Sequence, residues 1–385
     1  MTTIPAPSSA RLWTVSGVQD ISYSIETTRD VLDPVNGTLL EDQRGVRRLV
    51  VTDSTVEALY GEQIRAYFQA NCAEYQLLVL PHGETAKGWE SVVDVIEAME
   101  AFKLDRRREP VIAIGGGVLT DTVGFACSIY RRNTPFVRVP TTLIGVVDAG
   151  VGVKTGVNFH NGKNKIGTYF AASRTVIDPS FLATVDLRHI SNGLAEILKI
   201  ALIKDAKLFH LLAEHGRNVL AARCQDTLAG GPSREILSRA IEGMLEELEP
   251  NLWEKKLERV VDYGHTFSPT IEMAALPELL HGEAVCIDMA LTTVIARRRG
   301  LVSPEQQQEV FQVMALLGLP TFHREMTAQN LSVALADTTR HRDGLQRLPL
   351  PVGIGEAVFV NDVTDAEIAD AVAELRAHAE AETAR

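Results

Sequence analysis

The sequence predicts an α/β nucleotide-binding half followed by a mostly helical half. Short β-rich runs alternate with helical patterns through the first 178 residues, the reading of a parallel sheet covered by crossover helices. One of those runs ends in three consecutive glycines, a composition that lets main chain approach a ligand. From about Pro179 apolar residues recur at three- and four-residue spacing with few β-branched runs, which is the helical period. At 385 residues with 45 % hydrophobic content the chain fits two domains, drawn here as 1–178 and 179–385.

The elements follow in order. Arg48-Leu49-Val50-Val51-Thr52 reads as a strand, and Ser54-Thr55-Val56-Glu57 has capping-box spacing that opens a helix to about Ala70. Tyr75 to Leu80 is a second strand, Ala86 to Ala101 a helix, Val111-Ile112-Ala113-Ile114 a third strand and Phe136-Val137-Arg138-Val139 a fourth. In the second half Gly193 to Lys204 is helical. Ser303-Pro304-Glu305-Gln306 places a cap, a proline at the first helical position and a reciprocating glutamine, and Gly318 with Pro320 ends that helix. Ile368, Val372 and Leu375 form a one-sided stripe on a surface helix.

Composition excludes several functions. With 50 acidic and 38 basic residues the net charge is −12, and the longest basic clusters, Arg106-Arg107-Arg108 and Arg297-Arg298-Arg299, are three residues long. Such a chain repels a phosphate backbone, so no nucleic-acid partner is expected. No run approaches the roughly 18 apolar residues of a membrane span, and the first ten residues lack a basic segment followed by an apolar core. A cytoplasmic location and no membrane partner are expected. Cys72, Cys127, Cys224 and Cys286 are too dispersed for a CxxC pair and too few for a disulfide scaffold, so they read as reduced, mostly buried thiols.

Three groups of residues carry chemistry. Gly115-Gly116-Gly117-Val118-Leu119-Thr120-Asp121 follows a buried strand, where main-chain N–H groups and the positive end of a helix suit a pyrophosphate; the same glycines also suit a tight turn with no ligand. Asp53, at the end of an earlier strand, is placed to accept from a ribose hydroxyl. Glu196, His265 and His281 are a carboxylate and two imidazoles, the donor set of a catalytic zinc, with Lys199 one turn from Glu196 on the same helix face. Spacing alone leaves structural histidines as the alternative, and His210, His215, His323 and His378 are read that way. Finally Arg132, Lys154, Lys163, Asn164 and Lys165 have few acidic neighbours in sequence. The set suits a phosphorylated ligand or, equally, a solvated face.

Together these residues resemble a known family. The blocks Gly115 to Asp121, Val139-Pro140-Thr141-Thr142-Leu143, Val147 to Thr155, Gly162-Lys163-Asn164-Lys165-Ile166-Gly167, Gly193 to Lys199, Gly264-His265-Thr266-Phe267 and His281-Gly282-Glu283-Ala284-Val285 are similar, in this order, to the dehydroquinate synthase-like sugar phosphate cyclases. The resemblance implies a Rossmann-like N-terminal domain, an all-α C-terminal domain, an active site between them and a homodimer. It implies that Asp53, Glu84, Lys87, Gly116, Gly117, Asp121, Thr141, Thr142 and Lys163 contact NAD, and that Glu196, His265 and His281 bind Zn2+ or Co2+. Asp148, Lys199 and Lys163 would face the reacting polyol, and Lys154, Asn164 and Arg132 its phosphate. The implied reaction is transient oxidation by NAD⁺, β-elimination of phosphate, return of the hydride and an intramolecular aldol closure.

Departures from the dehydroquinate synthase pattern point to the substrate. An arginine, an asparagine, a histidine and a lysine of that enzyme are replaced here by Glu258, Asp262, Pro269 and Met244. Glu258 and Met244 cannot compensate a substrate carboxylate, so a substrate without one is expected. The Gly264 to Pro269 and Glu249-Pro250-Asn251-Leu252-Trp253-Glu254 segments are similar to the 2-epi-5-epi-valiolone synthases, which cyclise sedoheptulose 7-phosphate. Sister cyclases making another valiolone isomer or desmethyl-4-deoxygadusol, dehydroquinate synthase itself, and a metal-dependent polyol dehydrogenase are the alternatives. His341 and Arg342, near a lysine-rich turn of the family, are further candidates for the phosphate.

Overall fold

The computed structural model describes residues 12–41, 45–72, 74–160, 162–226 and 230–383. The first ten residues, read above for a targeting signal, lie outside them. Six parallel strands form the main sheet: β1 (Ser24–Thr27), β2 (Arg47–Asp53), β3 (Glu74–Leu80), β4 (Val111–Gly115), β5 (Phe136–Pro140) and β8 (Arg174–Ile177), in the spatial order β1-β8-β5-β4-β2-β3. From β2 the chain steps to the edge at β3, returns to the other side of β2 at β4, and continues through β5 to β8. The direction of winding therefore reverses between β2 and β4, and a reversal of this kind opens a crevice at the carboxyl ends of the strands.

Alternation along the strands explains the layers. Val50, Ile112 and Ile114 face α1 (Ser54–Asn71) through Val56, Ile64 and Phe68, while Leu49, Val51, Val111 and Ala113 face α2 (Trp89–Phe102) and α3 (Gly117–Ile129). The period of two in the strands sends neighbouring side chains to opposite cores. The cap of α1 is not Ser54 but Asp53, whose Oδ1 accepts from the amides of Thr55 (2.9 Å) and Val56 (3.0 Å). Glu57 pairs instead with Arg65. A carboxylate at the N-cap satisfies two helix-terminal amides at once, which a hydroxyl does less well.

After β5 a π-helical turn spans Gly145–Ala149, and a hairpin of β6 (Lys154–Phe159) and β7 (Gly162–Tyr169) stands off the sheet. Lys163, Asn164 and Lys165 thus lie in a strand. The second half is built around α4 (Leu187–Ile203) and α8 (His281–Arg298), both almost wholly buried. Around them pack α5 (Ala206–Ala221), α6 (Pro232–Leu248), α7 (Ser268–Ala274), α9 (Pro304–Leu316), α10 (Ala328–His341) and α11 (Asp365–Thr383). One small hairpin, β9 (Leu348–Pro351) and β10 (Ala357–Val360), is added to the helices. A buried leucine such as Leu194 at 0 % exposure contributes about 2–5 kcal/mol, judged by truncation to alanine.

The expected helix ends are present. Ser303 Oγ accepts from the Gln306 amide and Gln306 Oε1 from the Ser303 amide, Pro304 opens α9, and Gly318 follows it at φ +72°. Ile368, Val372 and Leu375 are buried on one side of α11. The basic cluster at 297–299 staples that helix: Arg297 pairs with Glu374 (2.7 Å), Arg298 with Asp370, and Arg299 with Glu367 (2.7 Å) and Asp362 (2.6 Å). Cys127, Cys224 and Cys286 are buried, and no disulfide joins the four cysteines. No helix of the described residues is long and apolar enough to cross a membrane.

Candidate active site

A cleft of about 920 Å³ opens where the winding of the sheet reverses, with the glycine turn and the hairpin on one side and the helices of the second half on the other. Its two ends are built differently.

At the first end main chain is exposed. Gly116 is the N-cap residue of α3 and makes no side-chain cap hydrogen bond, so the first amides of the helix are left facing the cleft. Packing excludes a side chain at Gly115, where a Cβ would lie 2.3 Å from Leu119 Cδ2, and leaves little room at Gly116, where one would lie 3.1 Å from Thr142 Cγ2. One on Gly117 would lie 3.1 Å from Ala149 Cβ. Asp53 caps α1 with Oδ1 and presents Oδ2 beside Gly115. Thr141 and Asp121 complete this wall. Lys87 is buried, and its Nζ donates to Asp121 Oδ2 (2.7 Å) and Asn164 Oδ1 (2.8 Å). Burial alone would lower its pKa, but Asp121 and Glu84 outweigh it and hold the ammonium above its ordinary value. A Cβ-free cradle at a helix start with a carboxylate at the neighbouring strand end fits a dinucleotide.

At the other end three side chains converge, Glu196 buried and the two histidines half-buried. Glu196 on α4, His265 before α7 and His281 at the start of α8 place one ligand atom each within 4.8 Å of one another. Glu196 Oε1 lies 3.5 Å from His281 Nε2 and 3.9 Å from His265 Nε2. His265 Nδ1 donates to the Tyr263 carbonyl (3.0 Å) and His281 Nδ1 to Glu272 Oε2 (2.9 Å), so both Nε2 lone pairs point inward. Burial and then Lys199 push the His265 imidazole down to about 3, so it is neutral, as a metal ligand must be. Glu196 is fully buried and neither carboxylate oxygen makes a well-directed hydrogen bond, although Lys199 Nζ lies 2.6 Å from Oε2. Burial would raise its pKa, but Lys199 and His281 keep it low. An orphaned carboxylate facing two oriented imidazoles fits a divalent metal with a position left for substrate.

The cations between the two ends are all paired with acids, three of them from the helical half. Lys163 Nζ donates to both oxygens of Glu272 (2.6 and 2.7 Å), and that carboxylate, despite burial, is held down to about 2 by His281 and Lys163. Lys154 pairs with Glu254, which also takes Arg259 and the Tyr169 hydroxyl (3.2 Å). Lys199 is buried against Glu196 with Asp148 beyond it; burial lowers its pKa, and those two carboxylates raise it further.

The models described as 3-dehydroquinate synthase N-terminal and C-terminal match residues 77–192 and 193–340. The chain belongs to the 3-dehydroquinate synthase family. Within it, the chain is 54 % identical over 369 residues to the 2-epi-5-epi-valiolone synthase of Streptomyces hygroscopicus subsp. jinggangensis (strain 5008), covering 94 % of this chain and 89 % of that one. It is 39 % identical over 365 residues to the demethyl-4-deoxygadusol synthase of Trichormus variabilis (strain ATCC 29413 / PCC 7937), covering 94 % and 89 %. The solved structure of the 2-epi-5-epi-valiolone synthase from S. hygroscopicus subsp. jinggangensis 5008, with NAD+ and Zn2+ bound, superposes with a TM-score of 0.91 at 54 % identity over 95 % of this chain and 100 % of that one.

Set against the family pattern, most expected residues converge on the cleft and a few do not. Asp53, Glu84, Lys87, Gly116, Gly117, Asp121, Thr141, Thr142, Asp148, Lys154, Lys163, Asn164, Lys199, His265 and His281 line it, and Glu196 lies just behind. Arg132 does not: it is exposed in the turn after α3, because that helix runs away from the cleft. His341 is exposed beside Asp337, and Arg342 is spent on Asp262 Oδ2 (3.1 Å) and two carbonyls. Glu258 turns outward to Arg347 (3.6 Å), and the next residue, Arg259, enters the cleft instead. Its charge is met by Glu254 and Asp262 (2.6 Å), and Met244 beside it is neutral. The expectation of a substrate without a carboxylate therefore rests on Arg259 being met by Glu254 and Asp262, and not on Glu258. Arg259 and Glu272 were not singled out from sequence, and Glu254 entered only as the end of a segment of resemblance. Acids and bases on amphipathic stretches read as solvated, and only the fold turns these inward.

Proposed function

We propose that this protein converts sedoheptulose 7-phosphate to 2-epi-5-epi-valiolone and phosphate, as a phosphate-eliminating carbon–oxygen lyase. The observation that carries the reading is the Glu196, His265 and His281 cluster facing a glycine cradle across one cleft that Lys154, Lys163 and Lys199 also line. That the four relatives at 54–57 % identity are all 2-epi-5-epi-valiolone synthases, with the demethyl-4-deoxygadusol synthase at 39 %, favours the valiolone product. Residues 1–178 would carry NAD and residues 179–385 the metal, Zn2+ or Co2+. A cytoplasmic homodimer without nucleic-acid or membrane partners is consistent with the −12 charge.

When bound, the metal acidifies a substrate hydroxyl and NAD⁺ accepts, then returns, a hydride at that carbon. The chain's own groups do the rest. Lys199, kept charged by Glu196 and Asp148, donates to oxygen as negative charge develops on it. Asp148 accepts from a substrate hydroxyl. Lys154 and Asn164 hold the phosphate, and Lys163, anchored on Glu272, spans the gap between phosphate and cofactor. Pro269 lines the wall without a titratable group, so the proton accompanying elimination has the departing phosphate as its acceptor.

The test is an incubation of metal-loaded protein with sedoheptulose 7-phosphate and catalytic NAD⁺, following phosphate release and absorbance at 340 nm together. Phosphate release without NADH accumulation is expected, with the product stereochemistry read by NMR. Stoichiometric NADH would instead identify a polyol dehydrogenase. Efficient turnover of the carboxylate-bearing dehydroquinate synthase substrate would overturn the charge argument.

A further inference from the structure

Asn158 is absent from every set of residues that the chemistry calls for, yet it is bonded both to residues assigned to the cofactor and to one assigned to the phosphate. Its main-chain N–H donates to the Lys87 carbonyl (2.8 Å), and its Nδ2 donates to Glu84 Oε1 (2.8 Å). Its Oδ1 accepts from the Asn164 amide (2.8 Å). The β6–β7 ladder shifts register between Val157 and Phe159, which frees Asn158 from cross-strand pairing and re-aims it. Asn164 sits at φ 51°, a left-handed conformation that asparagine tolerates and that neighbours must hold. Its side-chain Oδ1 is taken by Lys87 Nζ, which also pairs with Asp121. Glu84, Asn158, Asn164 and Lys87 therefore close a ring of hydrogen bonds, with Asp121 attached. Glu84, Lys87 and Asp121 belong to the cofactor end, and Asn164 to the phosphate end.

We infer that Asn158 is a positioning residue that couples the two subsites, so that NAD⁺ and a phosphate group each strengthen binding of the other. A ligand that fixes Glu84 and Lys87 also fixes Asn164 through the ring, and the second ligand meets groups already in place. The coupling is reciprocal by linkage. This rests on the reading that NAD and a phosphorylated sugar share this cleft.

The experiment measures the NAD⁺ Kd by calorimetry on the full-length, metal-loaded protein, with and without saturating inorganic phosphate. In the unsubstituted protein phosphate lowers the Kd about tenfold, within the usual range of coupling between sites. In Asn158→Ala that ratio falls below about twofold, while metal content and circular dichroism stay unchanged. Asn158→Asp keeps the acceptor for the Asn164 amide but removes the donor to Glu84, and loses the coupling as well; it also serves if the alanine variant does not fold. A residue that merely stabilised the hairpin would weaken both ligands and leave the ratio intact. NAD⁺ binding with a ratio of one in the unsubstituted protein, or an unchanged ratio in the variants, overturns the inference alone. Absence of NAD⁺ binding in the unsubstituted protein overturns the functional reading and the inference with it.

Discussion

At the cofactor end the cleft presents main chain, kept open by glycines with little room for a side chain, whereas at the metal end it presents side chains from three separate elements, the two histidines each oriented by a further partner. The first arrangement is local: strand, turn and helix start within a dozen residues or so and fold as one supersecondary unit. The second exists only when α4, α7 and α8 have packed, because Glu196, His265 and His281 make no contact until then. The two ends should accordingly fail in different ways. Damage to the first removes a ligand and leaves the fold, while damage to the second removes a ligand and weakens the fold with it.

The largest effect is expected at Glu196. Glu196→Gln leaves Lys199, 2 % exposed, without its adjacent carboxylate. Breaking one side of a buried pair costs about 3–5 kcal/mol, so the variant should unfold at clearly lower urea. Metal analysis should find less than a tenth of the unsubstituted content, with catalysis lost. NAD⁺ affinity measured on folded protein should stay within about twofold. Full metal retention would remove Glu196 from the ligand set.

Next is Gly116→Val at the other end. A Cβ there already lies 3.1 Å from Thr142 Cγ2, and the added methyls occupy the approach to the first amides of α3. The NAD⁺ Kd should rise about 100-fold, which is about 2.7 kcal/mol. Metal content and the urea midpoint should change little, since the substitution fills a cleft rather than a core. A variant that loses metal along with NAD⁺ would show that the two ends are one cooperative unit and would break the comparison.

Legibility in the sequence follows the same division. The glycine turn and Asp53 could be read directly, because their geometry is set by neighbours in the chain. Glu196, His265 and His281 could be read as donor types, and their convergence came from resemblance. Glu272 could not be read at all, since an acid seven residues beyond His265 on a short helix has the pattern of a solvated face. The same holds for Asn158, whose role depends on a register shift that no residue type announces. Arg132 shows the converse: residue type and order suit a phosphate, but the turn after α3 places it outside the cleft of its own chain. Strand β1 was missed because an edge strand of four half-exposed residues lacks the apolar run of its neighbours. Capping by Asp53 rather than Ser54 shows that two oxygens one residue apart compete for the same amides, and the carboxylate wins.

A pH-dependent effect sharpens the claim that the metal end is tied to folding. Asp288 on α8 is fully buried, and its Oδ2 accepts from the amides of Phe267 (2.6 Å) and Ser268 (3.0 Å), fixing the segment that follows His265. Oδ1 has no partner, and burial, only partly offset by those amides, pushes the carboxyl up to about 6 from an ordinary 3.8. Between about pH 4 and pH 6 the native state holds a proton that the unfolded chain has released. Stability from this group is therefore fully present below about pH 4 and is lost as pH rises through 6. The shift of about two pKa units corresponds to about 3 kcal/mol across that window, or a few degrees in Tm for a chain of this length. Asp288→Asn keeps an acceptor for both amides and cannot ionise. Its urea midpoint should match the unsubstituted protein near pH 4 and exceed it near pH 7.5, with NAD⁺ affinity unchanged throughout. Parallel pH profiles for the two proteins would show that the carboxyl titrates normally, and that the His265 segment is held by packing rather than by Asp288.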